Sequence, residues 1–311
     1  DSYQKAGNTL YAITGTFILA DIRLAQGRLQ AAVTIYERAL KLAQEVGGAA
    51  LRGLADLHTG LSELYLEQND WDAAQTHLQQ SKELGDETPL PRWRYRYLLA
   101  RAHLEAAAGE WDAALTALDE AEKQYVRGPV PDLRTAASAK ARLWAKQGNL
   151  AEAQRWAASQ GLAVDDDLTY LREFDHVTLT RIRLAQGKLE GLERPLQEAM
   201  VLLNRLLVAA EAGGRTGSAI EILIQQALAH EAQGNPVAAL KPLARALTLA
   251  EPEGYMCASL LMKGRHWRPC SNRSRPMGVD RRCIFLSCWR FLPGKALASR
   301  QLRLPTLFWS R

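Results

Sequence analysis

Residues 1–255 contain no cysteine, and the chain's four, Cys257, Cys270, Cys283 and Cys288, all fall in residues 256–311. That distribution excludes a disulfide framework for the larger part of the chain. No two of the four stand as C-x-x-C, which argues against a zinc knuckle in the smaller part. Acid is nearly absent from the same tail: Asp280 stands alone there against 12 Lys and Arg, a net +11. Residues 1–255 hold 27 basic and 33 acidic residues, a net −6, so the overall +5 does not make them a nucleic-acid binder. No apolar run is long enough to span a bilayer, so no membrane partner is expected. There is no secretory signal and no initial methionine, since the chain begins at Asp1. These absences lead us to expect a cytoplasmic fragment of a longer protein.

Catalytic and metal-binding motifs are equally scarce. Gly213–Ser218, GGRTGS, lacks the lysine of a phosphate-binding loop and follows no strand. It reads as an inter-helix turn with Thr216 or Ser218 as cap. His58, His77, His103, His176 and His230 are scattered and read as structural or surface residues, and the pair His230-Glu231 lacks the second histidine of a zinc protease. Asp70, Asp72, Glu110, Asp112, Asp119 and Glu120 read as solvated helix ends and faces. Neither a catalytic residue, a metal ligand nor a cofactor site is expected, and hence no enzyme.

What the chain does have is a repeat. Gly109–Glu122, GEWDAALTALDEAE, is a glycine turn, a bulky residue and then a helix with one apolar stripe. Turn residues at positions 27, 69, 109, 148, 187 and 234 begin similar stretches. From each, offsets 2, 5, 9 and 12 trace one helical stripe, with alanine at offset 5 in five of the six. Ile22, Leu64, Leu104, Leu143 and Ile182 stand five residues before their turns, so the preceding helix has a stripe of its own. A period near 40 residues signals stacked helix pairs. One hairpin cannot bury both faces, but stacked hairpins can. The expected fold is all-α: a right-handed superhelical solenoid of about six antiparallel hairpins over residues 1–255, with Trp111 largely buried between neighbours. Asp165, Asp166 and Asp167 are expected to cap the helix that follows them.

Five stretches carry a family resemblance: ILADIRLAQGRLQAAVTIYERAL, LSELYLEQNDWDAAQTHL, YLREFDHVTLTRIRLAQG, GRTGSAIEILIQQALAHEAQGN and LARALTLAEPEGY. Together they resemble the TPR-like helical-repeat region of MalT-type activators, the large ATP-dependent regulators of the LuxR class. The resemblance implies an inducer-sensing and self-association superhelix. ATP would belong to an N-terminal domain outside this chain, and DNA to a C-terminal helix-turn-helix also outside it. The partner would be a small-molecule inducer or a protein. The other reading is a free-standing TPR-like adaptor for protein–protein interaction.

One segment concentrates aromatic and basic groups: Arg92–Arg101, RWRYRYLLAR. Trp93, Tyr97 and Arg101 lie four residues apart on one helix face and are the candidate ligand-binding residues, for a polar ligand in a concave groove. The competing reading is packing at a unit junction. Residues 256–311 form an aberrant basic tail. MalT-like chains continue after EPEGY with a segment such as VRLFVDEG. Codons can be chosen for Met256–Gly264 that spell this segment in another frame. We therefore expect a frameshift at Tyr255 and an irregular, poorly packed tail, broken by Pro269, Pro276, Pro293 and Pro305.

Overall fold

The computed structural model describes residues 9–46, 53–85, 90–128 and 132–255. Among them there are twelve α-helices and no strand. The helices are α1 (Thr9–Ala25), α2 (Leu29–Val46), α3 (Leu54–Glu67), α4 (Trp71–Gly85), α5 (Trp93–Ala108) and α6 (Trp111–Lys123), then α7 (Ala136–Gln147), α8 (Leu150–Ser159), α9 (Glu173–Glu190), α10 (Glu193–Ala212), α11 (Thr216–Ala232) and α12 (Pro236–Ala250). They pair as six antiparallel hairpins, and the odd-numbered helices stack against one another as an inner layer. The fold is an all-α solenoid. The expected tail, 256–311, lies outside the described residues, as does the start of the chain.

The turns follow from left-handed backbone. Gly27, Gly109, Gly148 and Gly234 have φ between 74° and 85° and end their helices as expected. Asn69 does the same at φ 60°, and its side-chain oxygen accepts a hydrogen bond from Trp71 Nε1 at 3.2 Å. The alanines at offset 5, Ala32, Ala74, Ala114, Ala153 and Ala239, are each at most 1% exposed and let paired backbones close in.

Five expectations need correction. The fifth turn is at Gly191, φ 67°, not at Gly187. Gly187 is helical and buried in α9, where a side chain would strike Leu196 at 2.5 Å. α9 runs one turn longer than the repeat suggested, so Leu189 and Leu192 are exposed, while Leu196, Ala199 and Leu203 carry the stripe. Ile22 is also exposed. α1 packs through Phe17 and Ala20, and position 22 falls on the far side of that helix. Trp111 is only half-buried, packed against the core of α5, α6 and α7 with the Lys146 ammonium over its ring at 4.3 Å. Finally, neither Thr216 nor Ser218 caps α11, whose start has no side-chain cap. Asp166 likewise closes its own loop, accepting from the Ala163 amide at 3.0 Å, rather than capping α9.

The array curls until its first hairpin meets its last. Gly27 lies against Thr216, and Gly217 against the Leu24 carbonyl, so close that a Cβ on either glycine would stand 2.8 Å from its neighbour. The Gln30 amide donates to Glu253 Oε2 at 3.1 Å. Tyr255 packs on both the first-hairpin core and the small core of α11 and α12. Residues 9–255 therefore enclose a space walled by the odd-numbered helices.

Candidate functional site

The enclosing face is polar, and its polarity follows from the repeat. Each inner helix is buried on two sides by its own hairpin partner and by the next unit. Its third side can face only the interior of the ring. On α3 that side carries Asp56, Glu63 and Glu67, at spacings of seven and four. At the start of α7 and along it stand Arg134, Ser138 and Arg142, and on α9 Phe174, Thr178 and Arg181.

Most of these groups bond from one inner helix to the next, close to one repeat apart, while Arg142 also reaches past α9 to Glu221 on α11 and Arg96 also reaches Tyr36 on the outer helix α2. Arg96 Nη1 reaches Asp56 Oδ1 at 3.4 Å, and its Nη2 lies 3.4 Å from the Tyr36 hydroxyl. Ser138 Oγ donates to Asp175 Oδ1 at 2.6 Å. Arg142 Nε donates to Thr178 Oγ1 at 2.8 Å, and its Nη1 pairs with Glu221 Oε1 at 2.9 Å. Arg181 pairs with the same Glu221 oxygen at 2.9 Å. Arg215 and Ser218 both bond Glu173. Three arginines also cover rings: Arg96 over Phe17 at 4.5 Å, Arg142 over Phe174 at 3.5 Å and Arg215 over Tyr170 at 5.5 Å. A ladder of this kind helps to fix the register of successive hairpins, because a slip of one hairpin would part the paired charges.

Its electrostatics differ from one side of the ring to the other. Burial pushes the Asp56 carboxyl up to about 6, against the pull of Arg96. Burial also opposes the charge on Glu221, but Arg142, Arg181 and Arg134 outweigh it and hold that carboxyl down at about 2. Burial acts against Arg96 too, yet Tyr36, Asp56, Glu63 and Asp21 raise its pKa. Acid thus dominates along α1 and α3, and base along α7 and α9.

The sequence-derived candidates occupy a different face of α5. Trp93 is 5% exposed, its Nε1 donates to Ser81 Oγ at 2.9 Å, and its ring fills the space beside Gly85. Tyr97 stacks on Trp93 with ring centroids 5.4 Å apart. Tyr97 and Arg101 line an open recess of about 330 Å³ between α4 and α5, together with Gln75, Gln79 and Glu105. Arg101 Nε donates to Glu105 Oε1 at 2.7 Å. The structure therefore brings Tyr97 and Arg101 together at a recess and places Trp93 beneath them in the packing. Arg96, in the same segment, is the residue turned toward the enclosed space. The sequence reading passed over it because it sought aromatic neighbours rather than a partner one repeat away. Opposite charges about 40 residues apart, such as Asp56 and Arg96 or Arg181 and Glu221, were the available signal.

The histidines fall into the structure as follows. His176 is fully buried, with Nδ1 against the Arg172 carbonyl at 2.9 Å and Nε2 against Asp166 at 3.1 Å. His58 and His77, far apart in sequence, meet across the second hairpin with their Nδ1 atoms 2.8 Å apart. Burial, and then His77, pull His58 down to about 4. Among the described residues no cluster of three or more His, Cys, Asp or Glu could hold a metal ion, and no helix is long and apolar enough to cross a membrane.

A family model of the MalT-like TPR region matches residues 1–266. Among solved structures, the crystal structure of BtubC (BKLC) from P. vanneervenii aligns with a TM-score of 0.40 and 16% identity, covering 81% of this chain and 98% of that one. No curated protein matches.

Proposed function

Because this chain belongs to the family of MalT-like TPR regions, we propose that it is the inducer-sensing and self-association segment of a MalT-like transcriptional regulator of the LuxR class, working in the cytoplasm. The observation that carries this reading is the enclosed face: a continuous polar ladder on the inner helices of an array whose ends meet. A surface that only filled space would be cheaper to build from apolar side chains, because buried ion pairs contribute little net stability. Polar groups turned toward a shared interior give a ligand something to bond. A ligand held there touches several hairpins at once, so its occupancy alters how tightly the ring closes, which adjoining domains can read as a change in shape. Self-association finds support in the exposed Ile18, Leu19 and Ile22 of α1. On this reading the segment itself catalyses nothing, and ATP and DNA are handled by other domains.

The test is a thermal melt of the chain against fractionated small-molecule extract. At least one fraction should raise the midpoint, since a ligand at about 100 times its dissociation constant adds roughly 2.7 kcal/mol to the folded state. A melt unmoved by every fraction would count against sensing.

A further inference from the structure

Sensing needs a part that moves, and the place where the ring closes is built unlike the rest of it. Within the array each hairpin packs on the next, helix against helix, at five junctions. One apolar cluster runs from Ala141 on α7 to Ala229 on α11. The seam between the first hairpin and the last has little of this. Backbone approaches backbone there: Gly27 lies against Thr216, and Gly217 against the Leu24 carbonyl. Among the described residues, Tyr255 is the one hydrophobic side chain packed on both the first-hairpin core and the small core of α11 and α12.

A short strap delivers that side chain. α12 ends at Ala250, and Glu251–Glu253 form a single 3-10 turn. Gly254 then takes φ 70°, which turns the chain back so that the Tyr255 amide donates to the Ala250 carbonyl at 3.2 Å. The strap also carries Glu253. Its Oε2 accepts from the amide of Gln30, the second residue of α2, at 3.1 Å, where a carboxylate suits the positive end of the helix. This bond is exposed, so water competes for both partners. In an array of repeats, stability is a sum over units and their junctions. The seam belongs to neither. Parting it leaves all six hairpins and all five junctions in place, and the small displacement is shared among them.

We propose that the seam is a reversible latch with Tyr255 as its bolt, and that the ring opens and closes at this place. The latch stands on these contacts, and only its purpose rests on the sensing reading. A ligand that touches hairpins on both sides of the ring bonds fully to the closed form alone, and so holds the latch shut. Gly217 sets the fit. It lies in the first turn of α11 with ordinary helical backbone, so alanine suits the position and improves the helix. Yet the added carbon would stand 2.8 Å from the Leu24 carbonyl, and neither atom can turn aside. Gly15 on α1 is the matched control: it too is helical, with nothing within 4 Å of an added carbon.

The experiment uses the full chain with Cys257, Cys270, Cys283 and Cys288 changed to serine. Spin labels go at Thr34→Cys and Thr248→Cys, exposed positions on α2 and α12 whose hydroxyls bond only within their own helices. Pulsed electron resonance reads the distance between the labels, and circular dichroism the helix content, over a urea series below the unfolding transition. In the parent the labels should move apart by roughly 10 Å or more, one interhelical spacing, while helix content holds. Gly217→Ala and Tyr255→Ala should show the longer distance without urea, at the parent's helix content. Gly15→Ala should keep the short one. Labels that part only as the helices melt would overturn the latch. So would a short distance kept by Gly217→Ala or by Tyr255→Ala, or equal lengthening in Gly15→Ala. If the labels part as expected while no extract fraction raises the melt, the latch stands and the sensing reading falls. A stabilising fraction together with a seam that never opens ahead of unfolding leaves sensing and removes the latch.

Discussion

The inner and outer helices of the same hairpin are built on different terms. In the second hairpin, α3 has eleven of its fourteen residues buried, and these include Asp56, His58, Thr59 and Ser62. α4 has four of fifteen, all small or aliphatic: Ala74, Leu78, Ser81 and Gly85. The outer helix is two-sided, with one stripe to the core and the rest to water. The inner helix has no such choice. Both flanks are packed and its remaining side faces a confined space, so its polar groups must find partners on the next inner helix. The outer layer therefore supplies hydrophobic burial, and the inner layer supplies burial together with register and a binding surface.

This contrast predicts a ranking of substitutions. The largest effect should come from the inner core. Leu64 is 1% exposed, and Leu64→Ala should cost about 2–5 kcal/mol in denaturant unfolding, from lost burial and the cavity left behind. Next come the ion pairs, compared between layers. Glu221→Gln removes the shared partner of Arg142 and Arg181, which are 12% and 26% exposed at the side chain. It should cost about 2 kcal/mol, less than a fully buried pair because water still reaches Glu221. Arg194→Gln breaks the outer pair with Glu198, where the arginine is 89% exposed, and should change stability by no more than about 0.5 kcal/mol. Equal costs for the two would erase the distinction between the layers.

A pH series sharpens the same point within α3. The fold depresses His58 to about 4. Its stabilising effect is complete above the ordinary histidine range, near 6.5, and is lost as pH falls toward 4. The fold raises Asp56 to about 6, so that group disfavours the folded state when ionised and ceases to do so as pH falls from about 6 to about 4. The two slopes oppose each other over nearly the same interval. Asp56→Asn should therefore steepen the acid loss of stability between pH 6.5 and 4, and His58→Gln should flatten it, each by on the order of 1–2 kcal/mol across the interval. Identical pH profiles for both variants and the parent would show that neither group is titrated by the fold. The smallest effect belongs to the outer surface: Val237, 76% exposed, can become serine within about 0.5 kcal/mol, as thermal melts should show.

The same division explains what could be read from the sequence. The outer stripes were legible because burial on one face leaves a periodic trace, as in Ala114, Leu118 and Ala121, all at most 1% exposed. Turn residues were legible where the backbone is left-handed. The fifth turn was misplaced because Gly187 is small for another reason, the approach of Leu196. The inner helices left a fainter trace, since a helix buried nearly all round has no solvent face against which to set its pattern. Tyr97 and Arg101 were recognised as neighbours on one face, but that face borders α4. Arg96 carries meaning only through a group one repeat away, Asp56. The meeting of the first and last hairpins had no local signal at all, because it depends on the summed curvature of six units.

That closure is what turns a concave surface into a chamber, and it can be measured directly. Spin labels at Gln30→Cys and Glu253→Cys, in a chain with Cys257, Cys270, Cys283 and Cys288 changed to serine, report the distance between the first and last hairpins by pulsed electron resonance. A closed ring predicts a single short distance, no longer than the two label arms can span, because the Gln30 amide and Glu253 Oε2 stand 3.1 Å apart. Six hairpins stacked in an open array, with neighbouring helices about 10 Å apart, would instead separate the labels by roughly 50 Å, and a distribution centred there would contradict the account.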